Sequence, residues 1–206
     1  MHVTNTVTEY GIISKVLHWL SAIILVIQIP LGFYLVDLDF GDQRITIEDI
    51  HVTLGLTVFY IILIRLINNI LNPTPKLDPS IFKGQRFLAK MNHVLLYIAV
   101  LSITISGILK KLFNGETLTI IFREIQINEN FDLADQFYEI HILSNYTLIG
   151  LILIHISAVI IHKLFFGDNL LKLYNFHSFQ SLVFLPFQNL LLMKKLVHVL
   201  LYCSFY

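Results

Sequence analysis

The stretch IHILSNYTLIGLILIHISAVIIHKLF, residues 140–165, decides the fold of this 206-residue chain. It is apolar over more than the ~20 residues that a helix needs to cross a bilayer core of ~30 Å. Yet it holds three histidines, His141, His155 and His162. Fourteen residues separate the first two. That is nearly four helical turns, so both project from one face, ~21 Å apart in depth. An ionisable residue inside a membrane is expensive and points to a functional site.

Working outward, three more segments read the same way: roughly Lys15–Val36, Asp49–Ile70 and Leu88–Phe113, with Ile140–Phe165 as the fourth. Backbone groups in lipid must be satisfied within the segment, so all four are expected as helices. The fold class is therefore all-α, a transmembrane four-helix bundle. The whole chain agrees. It is 56% hydrophobic and 14% charged, where a soluble domain is ~25% charged, and its mean hydropathy is +0.74. This composition argues against a soluble enzyme or a disordered tail. Lys+Arg and Asp+Glu are both 14, so no basic excess is available to hold nucleic acid. A single cysteine, Cys203, excludes a disulfide framework, a thiolate zinc site and a covalently attached haem.

The first span reads as uncleaved, because Leu35–Phe40 offers no small-residue cleavage site. The bundle domain is expected over residues 1–175. Residues 176–206 form a C-terminal apolar extension of unassigned role, with Lys194 and Lys195 in its middle; it reads best as an interfacial helix.

Connections differ in charge. Residues 37–49 and 110–139 together carry eleven acids against Arg44, Lys110, Lys111 and Arg123. The middle connection and its helix ends carry Arg65, Lys76, Lys83, Arg86 and Lys90 against Asp78. The excess of basic residues on one side places both ends and the 71–87 loop in the cytoplasm.

With that orientation, His51 and His141 lie in the outer half, on the second and fourth helices. His18 and His155 lie in the inner half, on the first and fourth. Paired depths suggest two stacked sites, each able to hold a haem between axial imidazoles. Gly55, one turn after His51, would leave room for a flat ring. A zinc or di-iron centre would place histidines at i, i+3 or i+4, whereas the closest pair within a span here is His155 and His162. His93 is the rival inner ligand, otherwise a polar anchor at the helix end. Arg65, Lys111 and Arg44 stand near span ends, where haem propionates would emerge.

These residues resemble the bacterial cytochrome b561 proteins. The resemblance rests on His18-Trp-Leu, Ile50-His-Val-Thr-Leu-Gly55, Arg65, Pro73-Thr-Pro75 and His93-Val-Leu-Leu-Tyr97. It continues through Glu139-Ile-His141, His155, His162 and Gly167-Asp-Asn-Leu-Leu171, covering about residues 10–175. It implies a bacterial inner-membrane protein with two b haems, His18 and His155 holding one and His51 and His141 the other. It also implies a quinone-linked electron carrier, in one type a superoxide oxidase, with His162 at a position associated with quinone. The acidic outer loops depart from that type, since a superoxide anion is drawn to positive surfaces.

The reading is thus an electron-transfer cytochrome in the lipid bilayer, passing electrons between an outer-side donor and quinone. An electron-donor protein is a possible partner. Alternatives are a haem-bearing anchor subunit of a larger dehydrogenase or hydrogenase, and a non-redox membrane protein. Orientation can be tested with a cysteine placed at Ser80 or at Asn130. In intact cells the residue-130 cysteine should react with an impermeant thiol reagent and the residue-80 cysteine should not. The reverse pattern would invert the topology.

Overall fold

The computed structural model describes residues 2–75 and 83–161. Four helices run through it: α1 Ile12–Val36, α2 Asp42–Leu71, α3 Lys83–Phe113 and α4 Phe131–Ile161. All four are long and apolar enough to cross a membrane. The C-terminal extension lies outside the described residues.

Helices α2 and α4 begin well before the apolar boundary, at Asp42 rather than Asp49 and at Phe131 rather than Ile140. The segments expected as outer loops are thus partly helical. Residues 114–130 also hold a small hairpin, β1 Leu118–Ile120 paired antiparallel with β2 Arg123–Ile125. Its two-residue turn, Ile121 and Phe122, has φ of 48° and 63°. Left-handed backbone is uncommon for such side chains.

Local chemistry explains most helix ends. At the start of α1, the His2 carbonyl accepts from Ile12 N at 3.0 Å. Asn5 Oδ1 accepts from Gly11 N at 3.0 Å and from Ser14 Oγ at 2.6 Å. The N-terminal segment thereby satisfies amides that the helix leaves open. Helix α2 stops at Pro73, whose predecessor Asn72 is extended as a residue before proline must be. Helix α3 closes with Gly115 at φ 80°. Gly115 N donates to Leu112 O and Glu116 N to Lys111 O, the paired bonds of a glycine-terminated helix. Asn130 then serves two helices: its N–H caps Phe113 O at 2.8 Å, and its Oδ1 accepts from Leu133 N at 3.1 Å.

Helix α1 packs on α2, α2 on α3 and α3 on α4, while α1 and α4 meet sparsely. The core cluster takes Ile24 from α1, Val58, Ile61 and Ile62 from α2, Ala99 and Val100 from α3, and Leu148 from α4. Leu148 is midway between His141 and His155, so this apolar layer separates two polar levels. Small buried residues, Ser21 and Ser106 among them, let helices approach closely. Ser102 Oγ and Ser144 Oγ join α3 to α4 at 2.8 Å. Large apolar side chains such as Val26 and Leu143 point outward, the arrangement a lipid-facing surface requires.

Helix packing in lipid rests on close contact rather than exclusion of water. Leu148, fully buried, should therefore be sensitive: Leu148→Ala is expected to cost about 2–5 kcal/mol. Leu143→Ala, on a side chain 70% exposed, should stay within about 0.5 kcal/mol of the parent. Thermal unfolding of the detergent-solubilised protein checks both.

Candidate functional site

Two imidazole clusters lie above and below the Leu148 layer. In the outer one, His51 of α2 faces His141 of α4 with ring centres 6.2 Å apart and planes at 66°. Each ring occupies space opened by a glycine on a neighbouring helix. A Cβ at Gly32 of α1 would stand 3.0 Å from His51 Cε1. One at Gly107 of α3 would stand 3.1 Å from His141 Cε1 and Nδ1. Those separations are tighter than ordinary van der Waals contact, so a side chain at either position would push an imidazole away. Gly55, expected to clear a ring, instead faces the Gln28 amide, 3.4 Å from where its Cβ would be.

Hydrogen bonding sets which nitrogen is available. His141 Nδ1 lies 2.8 Å from the Ile103 carbonyl oxygen. A carbonyl can only accept, so Nδ1 carries the proton and Nε2 keeps its lone pair. This is the arrangement in which a ligating histidine is held by a partner behind it. On the other side, Gln28 Nε2 donates to the His51 carbonyl oxygen at 2.8 Å.

At the inner level three imidazoles gather. His93 and His155 have ring centres 5.2 Å apart, and both lie within electrostatic range of His18. His93, expected as a rival ligand or an anchor, thus packs on His155. Arg65 reaches in from α2: its Nη1 donates to Ser21 Oγ at 2.8 Å and its Nη2 to His18 Nδ1 at 3.1 Å. Its guanidinium also sits over the Tyr97 ring, 5.6 Å from the centroid, a cation–π distance. Of the three cations expected near propionates, only Arg65 bonds an imidazole. Lys111 pairs with Glu48 at 3.3 Å and with Glu116, and Arg44 donates to the Leu38 carbonyl at 2.6 Å. His162 lies outside the described residues.

The donor set can be tested against a haem. Two imidazoles on opposite faces of one iron, each bonded at ~2 Å, have ring centres about 6 Å apart. The outer pair meets that spacing, and His141 presents the correct tautomer. The inner set supplies enough imidazoles. There an Nδ1 that accepts from Arg65 leaves the proton of His18 on Nε2, so ligation through Nε2 requires Arg65 to let go. Among the described residues no three His, Cys, Asp or Glu side chains converge on a bare metal ion; the histidines meet in edge-to-face ring pairs instead.

Of the two expected pairings, the structure sets His51 against His141, but the ring against His155 is His93 rather than His18. Sequence reasoning did not single out Gln28 or the Ile103 carbonyl, which bond the outer pair. One signal was available: Gln28 and Gly32 share a face of α1 at i, i+4 spacing.

Comparison with known proteins bears on this geometry. The family model for prokaryotic cytochrome b561 matches residues 9–173, a span holding all five histidines discussed as ligands and His162. Cytochrome b561 homolog 2 of Escherichia coli (strain K12) is 32% identical over 121 residues, 58% of this chain. The match spans 64% of that relative's length, under two thirds of it. With four apolar helices and paired intramembrane imidazoles, the chain is a multi-pass membrane protein and belongs to the prokaryotic cytochrome b561 family.

Proposed function

We propose that this protein is an electron-transfer cytochrome with two b haems, passing electrons between a donor at its outer face and a quinone near its inner face. The observation that carries this reading is the outer pair, His51 and His141, at bis-imidazole spacing in a cradle of two glycines. Bound there, haem would supply the one-electron redox chemistry that side chains lack. The protein supplies the rest. His51 and His141 hold the outer group; Gly32 and Gly107 keep its ligands from being crowded. His18 of α1 and His155 of α4 would hold the inner group. Arg65, held by Ser21 Oγ, would be the cation placed to pair with an anionic group such as a propionate. The Leu148 layer is a packed apolar barrier between the two levels.

Charge bears on the donor. The acid-rich outer connections repel a superoxide anion, so a neutral molecule or a basic docked protein suits this face better. On the inner side His162, two turns beyond His155, is positioned in the sequence to relay the protons that quinone reduction consumes.

Haem content tests the reading. Acid-acetone extraction should release all haem, at two per chain. His51→Ala and His141→Ala should each abolish the outer haem, and His18→Ala and His155→Ala the inner one. His93→Ala should retain both, despite its contact with His155. Loss of a haem from the His93 variant with the His18 variant intact would exchange those two roles.

Quinone exchange tests the inner side. His162→Ala should leave both haem spectra unchanged and slow reoxidation of the dithionite-reduced protein by added quinone, measured by stopped flow. A parent rate across quinone concentrations would remove His162 from the site.

A further inference from the structure

Among the described residues, two buried side-chain polar atoms have no hydrogen-bond partner: Gln28 Oε1 and His51 Nδ1. They are complementary. An amide oxygen only accepts, and an imidazole that ligates through Nε2 carries its proton on Nδ1. They also belong to one contact, since the same Gln28 amide donates through Nε2 to the His51 carbonyl at 2.8 Å.

The surrounding backbone is shaped for that contact. Gly55 leaves the space through which the Gln28 amide reaches the carbonyl one turn before it. Gly32, one turn after Gln28, lets the His51 ring lie against α1. A Cβ at Gly32 would be 3.7 Å from His51 Nδ1 and 4.0 Å from Nε2. The ring presents Cε1 to α1, 3.0 Å from that Cβ position, with Nδ1 slightly nearer than Nε2. A buried donor and a buried acceptor both left unmade are costly, and no bulk water is at hand at this depth.

We propose that Gln28 is a positioning residue for His51, its Oε1 accepting the Nδ1–H directly or through one bound water. The proposal rests on the reading of His51 as an axial ligand. It gives His51 what the Ile103 carbonyl gives His141: a fixed tautomer, with Nε2 turned to the iron. It also differs in kind. The partner of His141 is main chain, whereas the partner of His51 is a side chain that substitution can remove. A hydrogen-bonded Nδ1–H makes an imidazole a stronger donor. A stronger donor favours ferric iron and lowers the midpoint potential of the outer haem.

The experiment uses the full-length, haem-loaded protein, with haem counted per chain, a redox titration and low-temperature EPR of the ferric state. Gln28→Leu should keep two haems. The midpoint of one, the haem that His51→Ala removes, should rise by about 59 mV, a tenfold shift in its reduced-to-oxidised ratio. The EPR g-values of that haem should move with it. Gln28→Glu should restore the parent midpoint, because a carboxyl kept protonated by burial offers both an acceptor and a donor. Unchanged midpoints and g-values in a two-haem Gln28→Leu protein would overturn the proposal and leave the ligand assignment standing. Equal shifts in the Leu and Glu variants would also overturn it, since packing would then be the cause. Two haems in His51→Ala would instead overturn the ligand assignment, and the proposal with it. Should Gln28→Leu fail to load haem, Gln28→Met, unbranched and of similar length, is titrated with the same two outcomes.

Discussion

An imidazole at membrane depth must find partners for both ring nitrogens inside the protein, because no water is there to supply them. Much of this bundle can be read as an answer to that constraint. The His141 ring reaches past Gly107 to the Ile103 carbonyl. His18 takes a donor from Arg65, which is itself held by Ser21. Each arrangement draws its parts from two or more helices, so the polar clusters also fix how the helices sit against one another. The apolar layer around Leu148 could tolerate small slips; a hydrogen bond of 2.8 Å could not.

The two levels solve the problem differently. The outer level is lined by glycines, a main-chain carbonyl and the Gln28 amide. The inner level is built on long, charged and aromatic side chains, Arg65 and Tyr97, with Asn69 Nδ2 donating to the Tyr97 hydroxyl at 2.8 Å. A guanidinium that can choose between an imidazole and an anion gives that level an adjustable partner.

The spans were legible because hydropathy over twenty residues leaves few alternatives, and the ligand candidates because histidine in such a run is rare. Helix starts were not, where the helix outruns its apolar stretch. Residues 42–48 of α2 and 131–139 of α4 are polar enough to read as loop, although Asn130 was a usable capping signal. The hairpin had none: Ile121 and Phe122 stand where Asn-Gly would announce a tight turn. At the site, Gln28 addresses a residue 23 positions away and Ile103 one 38 positions away. Such pairings depend on which helix faces which, and local periodicity does not carry that information. Gly55 shows the same limit: its place one turn after His51 was read from the sequence, but the group it clears is the amide of another helix.

Helix α4 contributes one member to each facing pair, His141 to the outer and His155 to the inner. A chain made from its N-terminus therefore carries His51 and His93 through synthesis before the α4 imidazole that each will face is made. Neither pair exists until the fourth helix enters the bilayer and docks on α3. Both pairings are in this way deferred to the same late moment of biogenesis, so a nascent chain that stalls before α4 holds neither of them.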